Sequence, residues 1–115
     1  MADCIFCRIA GGEIPAKVVR RTGEVVAFHD LNPQAPVHVL VIPSTHFVAA
    51  RDATGEEGER LLGRLVAFAA EVATELGLDQ GGYRLVTNTG HDGGQSVDHL
   101  HLHLLGGRAL GWPPG

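Results

Sequence analysis

The segment His99-Leu100-His101-Leu102-His103 alternates a polar and an apolar side chain over five residues. Strict alternation is typical of a β-strand, because successive side chains of a strand point to opposite faces of the sheet. The three imidazoles therefore share one face, with neighbours roughly 7 Å apart, and the leucines share the other. This pattern predicts a strand that packs through one face and carries chemistry on the other.

Most of the remaining chain divides into short β-prone runs and one long amphipathic segment. Thr54 and Glu57 have the spacing of a capping box, apolar residues then recur at helical spacing, and Gly77 follows them. These features predict a helix from about residue 55 to 76. A short helical turn is also predicted near residues 4–9. The five β-prone runs, bounded by turn residues, cover residues 17–20, 24–29, 37–43, 83–88 and 97–105.

The order of these elements predicts the fold class. Strands that lie both before and after a single long helix are typical of an α+β domain with a mostly antiparallel, five-stranded sheet. At 115 residues the chain fits one compact domain, so residues 1–115 are expected to form a single unit. Because one helix covers only one face of such a sheet, we expect the helix or the last strand to pack against a second copy, giving a homodimer.

Charge and hydropathy exclude several classes of partner. Acidic residues outnumber basic residues by 13 to 9, and the net charge of -4 leaves no basic field to attract a nucleic acid, although a mononucleotide is compatible with it. No apolar run approaches the roughly 20 residues that a membrane helix needs, so no membrane association is expected. The first residues, Met1-Ala2-Asp3-Cys4, lack the features of an export signal, which predicts a cytoplasmic location.

The histidine face is compatible with two chemistries. In one, the histidines ligate zinc, which activates water for hydrolysis. In the other, a neutral imidazole attacks phosphorus while its neighbours orient it and donate hydrogen bonds to phosphate oxygens. The preceding segment Gly93-Gly94-Gln95-Ser96 supplies flexible backbone, N–H groups and a hydroxyl, which are the parts of an anion cradle. This pairing favours phosphoryl chemistry, with the zinc hydrolase as the alternative.

The same residues resemble a known family. The segment from His99 to Leu105 resembles the signature His-φ-His-φ-His-φ-φ, where φ is apolar, of the histidine triad (HIT) superfamily of nucleotide hydrolases and transferases. The resemblance implies a HIT-like fold, a homodimer and a purine nucleotide substrate of the AMP or GMP type. Further motifs resemble its Hint branch, the purine nucleoside phosphoramidases: Cys4-Ile5-Phe6-Cys7, Gly12-Glu13-Ile14-Pro15-Ala16-Lys17, Ala27-Phe28-His29-Asp30, residues 38–43, Gly93-Gly94-Gln95-Ser96 and Trp112-Pro113-Pro114-Gly115.

The resemblance also implies catalytic roles. His101, the middle histidine, takes the place of the nucleophile that forms a nucleotidyl-histidine, which water then hydrolyses. His103 is expected to hold phosphate oxygens, and His99 to frame the site. Ser96 matches a residue near the phosphate and the leaving group, and His38 matches a fourth active-site histidine. The implied activity is hydrolysis of the P–N bond of nucleoside 5′-phosphoramidates or of related nucleotidyl esters.

A nucleotide pocket is implied by the same resemblance. Asp30 is expected to accept hydrogen bonds from the ribose hydroxyls, while Phe28 and Leu31 flank the base. His101, His103 and Ser96 would contact the phosphate. The other implied nucleotide-binding residues, in the pocket walls and around the phosphate, are Ile5, Phe6, Ile9, Leu40, Asn88, Gly94 and Gln95.

A structural zinc ion is a further implication of the resemblance. The positions that hold zinc in many relatives are Cys4, Cys7, His46 and His99 in this sequence, a sound tetrahedral ligand set. The ion would tie the N-terminal turn to the last strand without acting in catalysis, and no organic cofactor is expected. The alternative is a pair of thiols beside a pocket. A nucleotide-binding scaffold or regulatory protein without useful activity is the third functional hypothesis.

Overall fold

Residues 3–115 contain five β-strands and two α-helices. The computed structural model describes residues 3–115; Met1 and Ala2, which belong to the predicted single domain and to the segment without an expected export signal, lie outside the described residues. No helix in residues 3–115 has both the length and the apolar character that a membrane crossing requires. The elements are α1 (Ile5–Ala10), β1 (Val18–Arg21), β2 (Val25–His29), β3 (Val37–Pro43), a 3-10 turn (Ala50–Asp52), α2 (Gly55–Glu75), β4 (Tyr83–Val86) and β5 (Leu102–Gly106).

The strands form one sheet in the order β1-β2-β3-β5-β4, in which every neighbouring pair is antiparallel. β3 and β5 lie side by side, with Leu40 opposite His103 and His38 opposite Leu105. The predicted α+β class with a five-stranded antiparallel sheet is therefore confirmed. The predicted bounds of β3 agree with the observed ones residue for residue.

Helix α2 covers one face of the sheet. Its apolar stripe packs against the leucines that precede and open β5, so the alternation of histidine and leucine places the leucines in the core as predicted. Full burial of a leucine or phenylalanine side chain contributes about 1.5–3 kcal/mol to folding, so this layer stabilises the fold substantially. The buried residues of the layer include Leu65, Phe68, Ala69, Val72, Ala73, Leu100, Leu102 and Leu104.

Helix α1 covers part of the opposite face. Phe6 and Ile9 are buried there against Phe28, Leu40 and Ile42. The short N-terminal helix thus covers part of the face that was expected to need a second copy. The homodimer itself stays a prediction.

The two ends of α2 differ in how well the sequence predicts them. Thr54 is the N-cap, but its side chain makes no capping hydrogen bond, and Glu57 instead accepts a hydrogen bond from Arg60. The predicted capping box is therefore absent. At the other end Gly77 has φ of 77°. Its N–H donates to the carbonyl of Thr74, and the N–H of Leu78 donates to the carbonyl of Ala73. This is the expected glycine-terminated end.

Strand β5 begins at residue 102, five residues later than the sequence predicts. Before that point the backbone bonds outside the sheet ladder, since the N–H of Leu100 donates to the carbonyl of Phe47 at 2.7 Å. The histidines nevertheless stay on the α1 side of the sheet. The ring of Phe6 lies edge-on to His99 and to His101, with centroids 5.9 and 5.3 Å away.

Two glycines of α2 provide a matched test of this packing. A Cβ added to Gly58 would lie 2.3 Å from the carbonyl carbon of Ala53, whereas nothing lies within 4 Å of a Cβ added to Gly63. We expect Gly58→Ala to lower the free energy of unfolding by about 1–3 kcal/mol. Gly63→Ala should raise it by about 0.5–1 kcal/mol, because alanine is the better helix former. Urea unfolding of both variants checks this, and a stabilised Gly58→Ala protein would contradict the close approach.

Candidate active site

His101 is held with one particular ring nitrogen facing outwards. Its Nδ1 lies 2.7 Å from the carbonyl oxygen of His99, and a carbonyl can only accept a hydrogen bond, so Nδ1 carries the proton. The Nε2 of the neutral ring then keeps its lone pair. The ring is 4% exposed, and it lines the largely apolar cavity described below. His101 therefore presents a nucleophilic nitrogen to a partly desolvated space.

His103 has the opposite arrangement. The backbone N–H of Gln34 donates to Nδ1 of His38 at 3.0 Å, so the neutral His38 ring carries its proton on Nε2. That Nε2 lies 2.8 Å from Nδ1 of His103, which must accept the hydrogen bond from it. The remaining proton of His103 is then on Nε2. Beside the lone pair of His101, His103 offers a hydrogen-bond donor suited to a phosphate oxygen.

Burial keeps the hydrogen-bonded rings of His38 and His103 neutral. Burial, followed by the neighbouring His101 and His38 rings, lowers the pKa of His103 to about 4, although Asp30 opposes the shift. Burial also lowers the pKa of His38, and Asp30 again opposes the change. Both rings are therefore uncharged at neutral pH, as the donor and acceptor assignments require.

A cavity of about 280 Å³ lies beside the two histidines. It is lined by ten of the residues predicted from the resemblance: Ile5, Phe6, Ile9, Phe28, Asp30, Leu31, Leu40, Ser96, His101 and His103. Its walls are mainly apolar and include a few polar side chains, such as Asp30, Ser96 and His103, a composition typical of small-molecule sites. Six further residues line the cavity, and none of them was predicted to bind the nucleotide: Ile14, Pro15, Ala16, Lys17, His29 and Val97.

Asp30 lines the cavity and also lies beside His38. Its Oδ1 accepts the backbone N–H of Asn32 at 2.8 Å, which fixes the carboxylate at the end of β2. Its Oδ2 lies 3.5 Å from Nε2 of His38. The carboxylate thus has acceptor capacity left for ligand hydroxyls.

The glycine-rich loop is held by side chains that were expected to touch the nucleotide. Nδ2 of Asn88 donates to the carbonyl of Gly93 at 2.7 Å. Oε1 of Gln95 accepts from the N–H of Gly90 at 2.9 Å, and Nε2 donates to the carbonyl of Val97 at 3.1 Å. Asn88, Gly94 and Gln95 do not line the cavity that contains Ser96. Asn88 and Gln95 brace the loop, and their contact with a nucleotide stays a prediction.

A second group of side chains lies behind the nucleophile, at the start of α1. One ligand atom from each of Cys4, Cys7, His46 and His99 lies within 4.8 Å of the others. The individual distances are 3.2 Å for Cys4 Sγ to His99 Nδ1, 3.2 Å for Cys7 Sγ to His46 Nδ1, and 3.1 Å between the two Nδ1 atoms. Tetrahedral zinc with its usual bond lengths separates its ligand atoms by about 3.3–3.8 Å. The group therefore has the size of a zinc site.

The ring of His99 is also oriented as a metal ligand. Its Nε2 lies 2.9 Å from the carbonyl of Pro43, so the proton belongs on Nε2 and the lone pair of Nδ1 faces the thiols. Burial and the neighbouring Cys4 raise the pKa of the Cys7 thiol, so a bound cation would have to displace its proton. The donor set and the tautomer of His99 fit zinc.

A third group, formed by Asp30, His38 and His103, is equally compact but does not suit a metal. The N–H of Gln34 occupies Nδ1 of His38, so Nε2 of the neutral ring carries a proton and has no lone pair to offer. Within residues 3–115, the structure thus separates the triad: His99 joins the cysteines, and His101 and His103 face the cavity. This division disfavours a hydrolytic zinc held by all three histidines.

The low pKa of His103 makes stability depend on pH. A histidine of the unfolded chain titrates near 6.5, whereas the pKa of folded His103 is about 4. Between these values the unfolded state binds more protons, so the free energy of unfolding should rise as the pH increases from about 4 to 6.5 and then level off. In urea titrations across this range, His103→Asn should reduce the slope by up to about 1.4 kcal/mol per pH unit.

The matched control is His91→Asn, because the side chain of His91 is fully exposed. Its slope should equal that of the wild type. Equal slopes for the wild type and His103→Asn would contradict a neutral, buried His103.

Comparison with known proteins agrees with this geometry. A sequence model of the HIT domain matches residues 11–110. The chain is 45% identical over 109 residues to the purine nucleoside phosphoramidase of Escherichia coli K12, covering 95% of this chain and 91% of the relative. It is 52% identical over 114 residues to an uncharacterised HIT-like protein of Synechocystis sp., covering 98% and 97%.

A solved structure gives the same result. The crystal structure of a HIT family hydrolase from Legionella pneumophila superposes on the chain with a TM-score of 0.94 at 48% identity, and the match covers 98% of this chain and 100% of that one. The histidine segment, the fold and the extent of these matches agree, and the chain belongs to the HIT family.

Proposed function

We propose that the protein is a nucleotide-binding hydrolase that cleaves the P–N bond of purine nucleoside 5′-phosphoramidates, or related nucleotidyl esters, through a nucleotidyl intermediate on His101. The observation that carries the proposal is the 2.7 Å contact between Nδ1 of His101 and the carbonyl of His99, which leaves Nε2 unprotonated beside the cavity. The name of the Escherichia coli relative supports the choice of substrate.

The cavity suits a nucleoside monophosphate unit. A base fits between Phe28 and Leu31, and the carboxylate of Asp30 accepts hydrogen bonds from the two ribose hydroxyls. The phosphate then lies beside His101 and His103, where Nε2–H of His103 and the hydroxyl of Ser96 donate to its oxygens. A base-to-phosphate order along the cavity brings phosphorus next to Nε2 of His101.

In the first step, the lone pair of His101 Nε2 forms a bond to phosphorus as the P–N bond to the amine breaks. The departing nitrogen keeps the bonding electron pair and takes one proton, for which the Ser96 hydroxyl is the candidate donor. The His101 ring becomes a cation, which the carbonyl of His99 stabilises through Nδ1–H. The donor on His103 compensates negative charge that develops on the phosphate oxygens.

In the second step, water attacks phosphorus and displaces His101. The bonding pair returns to Nε2, and the proton released by water restores the Ser96 hydroxyl. The products are the nucleoside monophosphate and the free amine, and the enzyme returns to its starting protonation state. The sum of the two steps is the addition of one water molecule across the P–N bond.

We also propose that Cys4, Cys7, His46 and His99 hold a structural zinc ion. Their spacing and the orientation of His99 support this, as described above. Zinc would supply cross-linking between α1 and the segment before β5, and no step of the reaction passes through it.

A homodimer completes the proposal. Val66 on α2 and Tyr83 on the edge strand β4 are partly exposed, and Trp112 near the end of the chain is 83% exposed. These apolar side chains are the surfaces that a second copy would cover.

The central test uses adenosine 5′-phosphoramidate with a fluorescent amine. His101→Ala should lower the turnover rate by at least about 1,000-fold, because the nucleophile is removed. His91→Ala, which alters an exposed histidine, should keep the wild-type rate. Intact-mass measurement after a rapid quench should detect a nucleotidyl adduct on the wild type and none on His101→Ala.

Two other outcomes would overturn the proposal. Turnover that survives His101→Ala but stops with a chelator would favour the zinc hydrolase. A wild-type protein that binds the nucleotide tightly without turning it over would favour a scaffold or regulatory function.

The zinc proposal predicts one zinc ion per chain in protein purified from zinc-supplemented cells. Cys7→Ser should lose most of this zinc and should melt at a lower temperature than the wild type. Elemental analysis and thermal unfolding measure both effects without reference to activity. A wild type without zinc, with a melting temperature insensitive to added zinc and to chelator, would contradict the site.

A further inference from the structure

Arg21 connects the edge strand β1 to the last turn of helix α1. Its Nη1 donates to the carbonyl of Ala10 at 2.7 Å, and its Nη2 donates to the carbonyl of Ile9 at 3.3 Å. The carbonyls of a last helical turn lack donors within the helix, and arginine side chains near a helix C-terminus can satisfy them. The two bonds therefore fix the end of α1 to the sheet.

The sheet register explains why Arg21 faces α1 whereas its neighbour Arg20 does not. Arg21 pairs with Val26, and Arg20 pairs with Ala27. Directly paired residues of antiparallel strands present their side chains on the same face. Val26 packs in the layer that contains α1, and Ala27 packs in the layer that contains α2. Arg20 accordingly forms a salt bridge with Glu71 of α2 at 3.3 Å, so the two consecutive arginines contact different helices.

The position of α1 matters because the helix forms part of the nucleotide cavity. A helix of six residues is too short to be stable by itself, so its contacts with the rest of the protein determine where it lies. Its start is attached through Cys4 and Cys7, which contact His99 and His46, and its end is attached through Arg21. Three of its residues line the cavity between these two attachments: Ile5, Phe6 and Ile9.

Arg21 also closes the segment that connects α1 to β1. Residues 11–17 run from the end of the helix to the start of the strand, and Arg21 in β1 bonds back to the two residues just before them. Arg21 itself does not line the nucleotide cavity. A displaced helix end would nevertheless move both Ile9 and the connecting segment, of which four residues line the cavity: Ile14, Pro15, Ala16 and Lys17.

We propose that Arg21 is a positioning residue for nucleotide binding, which holds Ile9 and residues 11–17 where they fit the nucleoside. The inference rests on the proposed function, because that function places a nucleoside in this cavity. Arg21 acts on the ligand only through the cavity wall, and a preformed wall lowers the ordering cost of binding.

The effect of Arg21 should be on binding and not on the chemical step. The groups of the proposed reaction, Ser96, His101 and His103, lie outside α1, β1 and the segment between them. Phe6, the residue of α1 whose ring contacts His101, is in the first turn, at the end opposite to the Arg21 bonds. A loosened helix end should therefore weaken binding of substrate and transition state alike, which raises KM and leaves kcat unchanged.

The test measures KM and kcat with the fluorescent adenosine 5′-phosphoramidate, and the Kd of AMP by calorimetry. Arg21→Met keeps much of the aliphatic stem and removes every donor. It should raise KM and the Kd of AMP about 5- to 10-fold and leave kcat within about 2-fold of the wild type. Arg21→Lys keeps the charge without the forked donors, so its KM and Kd should lie between those of the wild type and Arg21→Met.

Arg20→Met is the matched control, because it removes the same side chain from the next position of the same strand, on the face that packs against α2. Its KM, kcat and Kd should equal those of the wild type. Both substitutions remove an exposed contact between β1 and a helix, and the melting temperature of each variant reports the loss of stability. A rise in KM for Arg21→Met alone then separates positioning of the cavity wall from a general loosening of β1.

The outcomes separate the inference from the function on which it rests. An Arg21→Met protein with the KM and Kd of the wild type, a loss confined to kcat, or an equal rise in KM for Arg20→Met would overturn the role of Arg21 and leave the phosphoramidase function standing. A wild type that binds AMP without hydrolysing the phosphoramidate would overturn the proposed reaction, and the Kd values would still decide the role of Arg21. A wild type that does not bind AMP would overturn both.

Discussion

The hydrogen bond from Nδ1 of His101 to the carbonyl of His99 determines which nitrogen of His101 faces the nucleotide cavity. A chain of bonds from the Gln34 N–H through His38 gives His103 the opposite tautomer. The two neighbouring rings thus present a lone pair and a donor, the two functions that attack on a phosphate requires. Neither ring gains this property from its own identity, because each depends on a backbone group that is fixed elsewhere in the fold.

His99 connects this arrangement to the proposed metal group. Its side chain faces the cysteines while its carbonyl orients the nucleophile. Helix α1 has a similar double role, since Cys4 and Cys7 belong to the metal group while Phe6 contacts the His101 ring. The cavity wall and the nucleophile are therefore attached to the same two backbone segments that a zinc ion would join. This explains physically why a structural ion would lie so close to an active site that does not use it.

The sequence predicts those parts of the structure that depend on local periodicity. The long helix, strand β3 and the division of histidines and leucines between two faces all follow from spacing alone. The parts that it misses depend on distant partners. The carbonyl of Phe47 accepts a hydrogen bond from the N–H of Leu100, which lies before the observed start of β5. Arg60 donates to the carboxylate of Glu57, which therefore does not take part in a capping box. In the site, the resemblance identified most of the cavity lining. It could not indicate that the side-chain amide of Gln95 forms a hydrogen bond within the loop.

The proposed roles of His101 and His103 are tested most directly by measuring the tautomer of each ring. Long-range ¹H–¹⁵N NMR spectra of the imidazole rings at neutral pH distinguish a protonated ring nitrogen from an unprotonated one. We expect His101 to carry its proton on Nδ1 and His103 on Nε2. A His101 ring protonated on Nε2, or doubly protonated at neutral pH, would leave no lone pair facing the cavity and would contradict the proposed nucleophile.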